Sequence, residues 1–286
     1  MTKKASPYKV PRLEIRAAEH CNLSCRGCAQ LSPYQLPSFP DLNVLRNSLT
    51  TLSNVLEADS VHILGGEPLL NPDIEALLDI VVASRIAPSV SITTNGLLLG
   101  KCPDGLWAKI SEVEISVYPS TVAAIKKLVP SLLEKAVQFS TSLCLLGTPT
   151  FRHIVLSTPV EPANRVLDVY RNCYYKDYTT TVHNGYLYRC APCINISSGI
   201  HSHRLDPADR LKIEAPYLDS GAVEHFLKQD TPMAACKYCL GTSGTEFDHS
   251  QMPRTSKAEF DNPFYESKYR IEPDTSATSR SQKCSQ

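Results

Sequence analysis

The sequence has no surplus of charge of either sign. Lys and Arg number 29, Asp and Glu 29, in 286 residues, so the formal net charge is zero. Proteins that grip nucleic acid or an anionic membrane surface by electrostatics carry a basic excess, so no nucleic acid and no membrane are expected as partners. No apolar run reaches the roughly eighteen residues that span a bilayer. The start, Met1 to Pro11, has lysines but no apolar stretch of the secretory kind, and a cytoplasmic location is expected. Internal repeats and long low-complexity blocks are also missing. The 42% apolar content suffices for a sizeable core, and the length suits two domains or one large domain with an appendage.

Cysteine is what the chain has in excess: 11 residues, at 21, 25, 28, 102, 144, 173, 190, 193, 236, 239 and 284. Without an export signal a reducing compartment is expected, where clustered cysteines bind metal or do redox work rather than pair. An odd number cannot all pair in any case.

Patterning divides the chain. Residues 10–17 alternate apolar and polar and read as a first strand, followed at once by the first cysteines. Asp41 or Asn43 can cap a helix running to about residue 57. Strands are then expected at 60–64, 89–93, 112–118, 137–146 and 151–156, with helices from about 73, around 104–110 and over 120–128. This β-α alternation with short connections predicts parallel strands under helices, as a partial barrel or an open sheet, with ligands at the C-terminal strand ends. Past residue 160 a helix over 161–171, a hairpin about His183-Asn184-Gly185 and a helix near 221–228 are expected. From His249 the composition turns to Ser, Thr, Pro, Lys and Asp and reads as an arm or tail in which Cys284 is a bystander. His249, Gln251 and Arg254 could close over a substrate, but a solvated tail is the expectation.

Cys21, Cys25 and Cys28 are spaced CxxxCxxC. Three thiolates on one short loop can hold three corners of a [4Fe–4S] cube and leave the fourth iron open. Zinc is the alternative, although structural zinc sites want four ligands. Gly65-Gly66-Glu67-Pro68 closes the next strand, Thr93-Thr94-Asn95-Gly96 a later one, and Ser116 stands on the strand after that.

Over about residues 10–250 this arrangement resembles the radical SAM superfamily. The resemblance implies a partial (β/α)6 TIM-like barrel over 1–160. It implies a [4Fe–4S] cluster on Cys21, Cys25 and Cys28 that binds S-adenosyl-L-methionine and cleaves it reductively to a 5′-deoxyadenosyl radical. Gly65, Gly66, Glu67 and Pro68 would hold the methionine amino group, Thr94 and Asn95 would lie beside the cofactor, and Ser116 would offer its hydroxyl to the ribose or carboxylate.

The second cysteine set leaves two readings open. Cys190/Cys193 with Cys236/Cys239 form a CxxC…CxxC pattern fit for zinc. The segment 161–248 also resembles the twitch domain, a shortened SPASM domain with a hairpin and a helix. That resemblance implies one auxiliary [4Fe–4S] cluster on Cys173, Cys190, Cys236 and Cys239. The further cysteines of a full SPASM domain are absent, which implies two clusters in all. Cys193 is left over, either as a buried spare or as a hydrogen-atom donor to a substrate radical. Arg152 and His153 are candidates for substrate contact.

The cysteine layout is similar to the sugar and aminocyclitol dehydrogenase and epimerase branch of the superfamily. It leaves no room ahead of Cys21 for a peptide-recognition domain. The expected substrate is therefore a small polar molecule, the expected reaction oxidation of an alcohol, with epimerisation through a cysteine second and peptide modification third. Electrons would come from a donor such as flavodoxin or ferredoxin. A zinc-binding adaptor without catalysis is the reading from a different class.

Overall fold

The computed structural model describes residues 6–156, 158–196 and 206–252. The elements follow in the order β1 (Tyr8–Ala18), α1 (Leu42–Leu52), β2 (Leu56–Gly65), α2 (Ile74–Ser84), β3 (Val90–Thr94), α3 (Asp104–Trp107), β4 (Glu112–Val117), α4 (Val122–Phe139), β5 (Ser142–Gly147) and β6 (Thr150–Arg152). After these come α5 (Arg165–Arg171), α6 (Tyr175–Tyr178), β7 (Thr180–His183), β8 (Tyr186–Tyr188), α7 (Ala191–Asn195), β9 (Arg210–Lys212), α8 (Ser220–Leu227) and β10 (Glu246–Asp248).

The fold is α/β, built on an open sheet in the order β5-β4-β3-β2-β1-β7-β8-β9. Strands β5 to β1 pair in parallel, and β7 joins the other side of β1 in parallel, Leu13 opposite Thr180 and Ile15 opposite Val182. Among the described residues six strands pair in parallel, the number expected of the partial barrel. The sixth, however, comes from beyond residue 160, so one sheet runs through the expected domain boundary. The expected sixth strand at 151–156 is reduced to β6, which pairs with β10 in a separate two-stranded sheet.

Local chemistry explains most elements. Asp41 caps α1 by accepting from the N–H groups of Asn43 and Val44. The β7–β8 hairpin turns on Asn184 and Gly185, both at positive φ, the geometry Asn-Gly favours. Helix α4 outruns its expected end at 128. It passes through Pro130, where the lost backbone bond is outweighed by a stripe that keeps Ile125, Leu132 and Ala136 buried. Val137 is therefore helical, and β5 starts at Ser142 rather than 137.

The two faces of the sheet differ. Leu13, Ile15, Val61, Ile63, Ile92, Val113 and Ile115 pack with Leu45, Leu49, Leu77 and Leu78 of the helices in the main core. The opposite face carries a polar row in register: Thr181 beside Glu14, Glu14 beside His62, His62 beside Ser91 and Ser91 beside Glu112. One step along, the Thr93 hydroxyl donates to Glu114 at 2.7 Å. Burial holds the Glu14 carboxyl above its usual range and pushes His62 down to about 3, which keeps that imidazole neutral. Among the described residues no helix is long and apolar enough to cross a membrane.

Candidate functional site

The cysteine loop leaves the C-terminal end of β1, beside the ends of β2, β3 and β4, and two glycines decide how closely they meet. A Cβ on Gly65 would stand 2.3 Å from the Ala18 carbonyl oxygen, and one on Gly66 would stand 2.0 Å from that of His20. The gap is closed by hydrogen bonds from Gly66 N–H to Ala18 O (2.8 Å) and from Glu67 N–H to His20 O (3.0 Å). In this structure the glycines bring the turn against the root of the cysteine loop.

Glu67 is fully buried. Its carboxylate accepts from the Thr94 hydroxyl (2.6 Å), the Asn95 N–H (2.9 Å) and the Leu69 N–H (3.1 Å). It therefore caps the short turn begun by Pro68 and ties the end of β2 to that of β3. Burial raises its pKa, against those three bonds. Asn95 carries the link onward, its amide donating to Asn22 Oδ1 at 2.7 Å and lying 3.7 Å from the Cys21 sulfur. Asn71 donates to the Ala17 carbonyl at 2.8 Å. Neither Asn22 nor Asn71 was singled out from the sequence, because an Asn within a loop has no periodicity to mark it. Ser116 is half-buried and hydrogen-bonds the Tyr118 phenol.

The three thiols interact. Burial first, then the charges of Glu67 and Cys28, push Cys21 up to about 11, while burial and Cys28 push Cys25 up to about 12. N–H donors point at two of the sulfurs: Leu23 N–H at Cys21 (3.3 Å) and the Gln251 amide at Cys25 (3.2 Å). A thiol is a weak acceptor and a thiolate a strong one, so this donor set suits metal-bound sulfur. Among the described residues no three His, Cys, Asp or Glu side chains converge on one point as ligands of a single ion would. A cube asks something else, one thiolate at each of three irons, and three sulfurs spread along a loop fit that demand.

The structure also gathers the second set. Cys190 is buried, and its thiol is raised well above the ordinary value by burial and then by the charges of Cys193, Cys236, Cys239 and Cys173. The Cys173 sulfur lies where a Cβ on Gly241 would come within 2.8 Å of it, and Gly241 N–H donates to the Cys239 sulfur at 3.3 Å. Thr242 fixes that approach, accepting from Tyr174 N–H and donating to Asn172 O. Arg189, fully buried next to Cys190, donates to the Tyr170 hydroxyl and to the carbonyls of Gln229 and Thr231.

The structure gives three further residues or segments the following surroundings. The Arg152 guanidinium donates to the carbonyls of Thr242 and Gly244 and to Glu246 at 2.6 Å, so it is committed to holding β6 against the 242–246 turn. The Cys193 sulfur is buried on α7, 3.9 Å from Asp209, itself buried and accepting from the N–H groups of Ala234 and Ala235. The tail does not begin at 249: His249 is buried, and Gln251 pairs with Cys25 in an antiparallel bridge. Arg254 and Cys284 lie outside the described residues.

Residues 15–139 match the family model described as "Radical SAM superfamily". That segment holds the three cysteines, the Gly-Gly-Glu-Pro turn and the ends of β3 and β4. Among curated proteins the chain is similar to "GTP 3',8-cyclase" of Streptomyces coelicolor, 30% identical over 110 residues, 37% of this chain and 32% of that protein. It is similar to "GTP 3',8-cyclase" of Aliarcobacter butzleri, 30% identical over 138 residues, 46% of this chain and 42% of that protein. The chain thus matches less than half the length of these relatives. Among solved structures it is similar to BtrN in complex with AdoMet and 2-DOIA, with 14% identity and a TM-score of 0.48, covering 84% of this chain and 96% of that one.

Proposed function

We propose that the chain is a radical SAM enzyme with two iron–sulfur sites, one on Cys21, Cys25 and Cys28 and an auxiliary one on Cys173, Cys190, Cys236 and Cys239, and that it oxidises an alcohol of a small polar substrate. The observation that carries the reading is the convergence of the cysteine loop with the Gly65–Asn95 apparatus inside the segment that matches the superfamily. When bound, a reduced cluster with S-adenosylmethionine supplies a carbon radical able to take hydrogen from an unactivated C–H bond. The residues of this chain position and shield that chemistry. Gly65 and Gly66 press the turn onto the loop root, Glu67 locks β2 to β3, and Asn95 steadies Asn22 beside Cys21. The polar row on the face of the sheet away from the main core, Glu14, His62, Ser91 and Glu112 with Thr93 and Glu114 beside it, supports a hydroxylated or amine-bearing substrate. Epimerisation is the weaker reading, since the buried Cys193 faces Asp209.

Anaerobic loading followed by S-adenosylmethionine and a strong reductant is the direct test. The expected result is about eight irons per chain and release of 5′-deoxyadenosine. A colourless chain that leaves S-adenosylmethionine intact would overturn the proposal. The names of the matched cyclases favour a second reading, a radical rearrangement of a nucleotide. Cyclitols and GTP supplied in parallel separate the two by which of them increases 5′-deoxyadenosine and is consumed.

A further inference from the structure

Beyond the cysteines themselves, the most strongly constructed feature around the first site is the strand that returns to it. Glu246 to Asp248 form β10 against β6, and the chain then runs alongside the cysteine loop. Arg26 N–H donates to Ser250 O at 2.9 Å and Met252 N–H to Ser24 O at 2.9 Å, so backbone bonds grip the loop on both sides of Cys25. The Phe247 ring fills the space over Gly27, where a Cβ would come within 2.3 Å of it.

Two side chains of this strap reach the same sulfur. Gln251 Nε2 and His249 Nε2 each lie 3.2 Å from Cys25 Sγ. The orientation of Gln251 is not free: its Oε1 accepts from Ser24 N–H at 2.7 Å, which leaves the amide NH2 toward the sulfur. His249 is fixed by stacking on Tyr118 at 4.6 Å and by the edge of Phe151 at 4.9 Å, and its buried Nδ1 has no hydrogen-bond partner. The ring is thus held with Nε2 3.2 Å from Cys25 Sγ and 3.4 Å from the Gln251 amide nitrogen; the two amide hydrogens are directed to Cys25 and to the Ser120 hydroxyl, which leaves the sulfur as the acceptor for an Nε2–H.

We propose that His249 and Gln251 are positioning residues for the Cys25 sulfur, two N–H donors that stabilise it as a cluster thiolate and raise the reduction potential of that cluster. The inference rests on the reading of Cys21, Cys25 and Cys28 as cluster ligands. Donors to a ligating sulfur favour the state with more negative charge on the cluster, which is the reduced one.

The test uses the full chain, loaded anaerobically, with the midpoint potential followed by electron paramagnetic resonance on the signal that disappears in Cys25→Ala. His249→Phe keeps the stack and loses the donor; His249→Gln restores a donor without the stack. The expected result is a more negative potential in His249→Phe and in Gln251→Ala at unchanged iron content, release of iron to a chelator several-fold faster, and recovery of most of the potential in His249→Gln. Wild-type potentials in both His249→Phe and Gln251→Ala would overturn the inference while leaving the cluster assignment intact. Should Gln251→Ala fail to fold, the His249 pair decides alone. A wild-type chain with no Cys25-dependent signal removes the cluster assignment and the inference with it.

Discussion

The two cysteine sets are held by opposite means. Cys21, Cys25 and Cys28 share one loop, and what the fold adds is a surround of backbone bonds from the β2 and β3 ends and from the 249–252 strap. Cys173, Cys190, Cys236 and Cys239 come from separate stretches. They meet only because α5, the β7–β8 hairpin and the turn about residue 236 are packed on one another. A local set can be recognised by spacing alone, whereas a dispersed one exists only once the tertiary structure does. The first should therefore tolerate damage elsewhere, and the second should register it.

Removing one ligand from each set gives the sharpest contrast. Cys21→Ala should abolish 5′-deoxyadenosine release, by about a thousand-fold or more as expected for losing an essential group, whereas Cys236→Ala should keep cleavage of S-adenosylmethionine and lose about half the iron. Equal loss of cleavage in both would erase the distinction. Next in size is a pair of glycines. Gly66→Ala puts a methyl 2.0 Å from a backbone oxygen that cannot yield and should cost about 3 kcal/mol in urea unfolding. Gly241→Ala, at φ +52° with the Cys173 sulfur 2.8 Å away, should cost nearer 1 kcal/mol while lowering iron content at the second site.

The protonation of the thiols extends the comparison. Burial raises Cys21 to about 11 and Cys25 and Cys236 to about 12, so the folded apo chain keeps protons that the unfolded chain releases near pH 9. Stability of the apo form should be complete below that pH and fall as pH rises through 9 and beyond. Cluster loading, which takes the sulfurs as thiolates, should flatten the dependence. Urea titrations of both forms between about pH 8 and 10 measure this. His62 works in the other direction: its pKa is lowered to about 3, so stability should decline as pH falls below the ordinary histidine value. The smallest expected effect is Arg152→Gln. It loses an exposed ion pair and two carbonyl contacts, about 1 kcal/mol or somewhat more, and should leave the reaction rate unchanged if the guanidinium only braces β6.

Much of the first site was legible because its residues are contiguous and their types are chemically unusual. The CxxxCxxC spacing and the paired glycines before Glu67 both announce themselves, and the strand ends that carry them follow from simple alternation. The partners of Glu67 were not legible: a carboxylate expected to face an ammonium spends its lone pairs on Thr94, Asn95 and Leu69, since burial forces every acceptor to find a donor. The contacts of Arg152 were not legible for a similar reason, because a strand-borne Arg looks alike whether it meets a ligand or two carbonyls. His249 and Gln251 lie in a polar stretch without periodicity, and only their pairing across to Cys25 distinguishes them from solvated residues. The sixth parallel strand escaped because β7 is too short to advertise which strand it joins.

That last placement has a consequence for dissection of the molecule. Since β7 covers the flank of β1 through Leu13, Glu14 and Ile15, a fragment cut at residue 160 would expose a row of unsatisfied peptide groups along a buried, apolar strand. Such a rim invites other chains to add to it, and the truncated protein should accumulate as aggregates rather than as a working half.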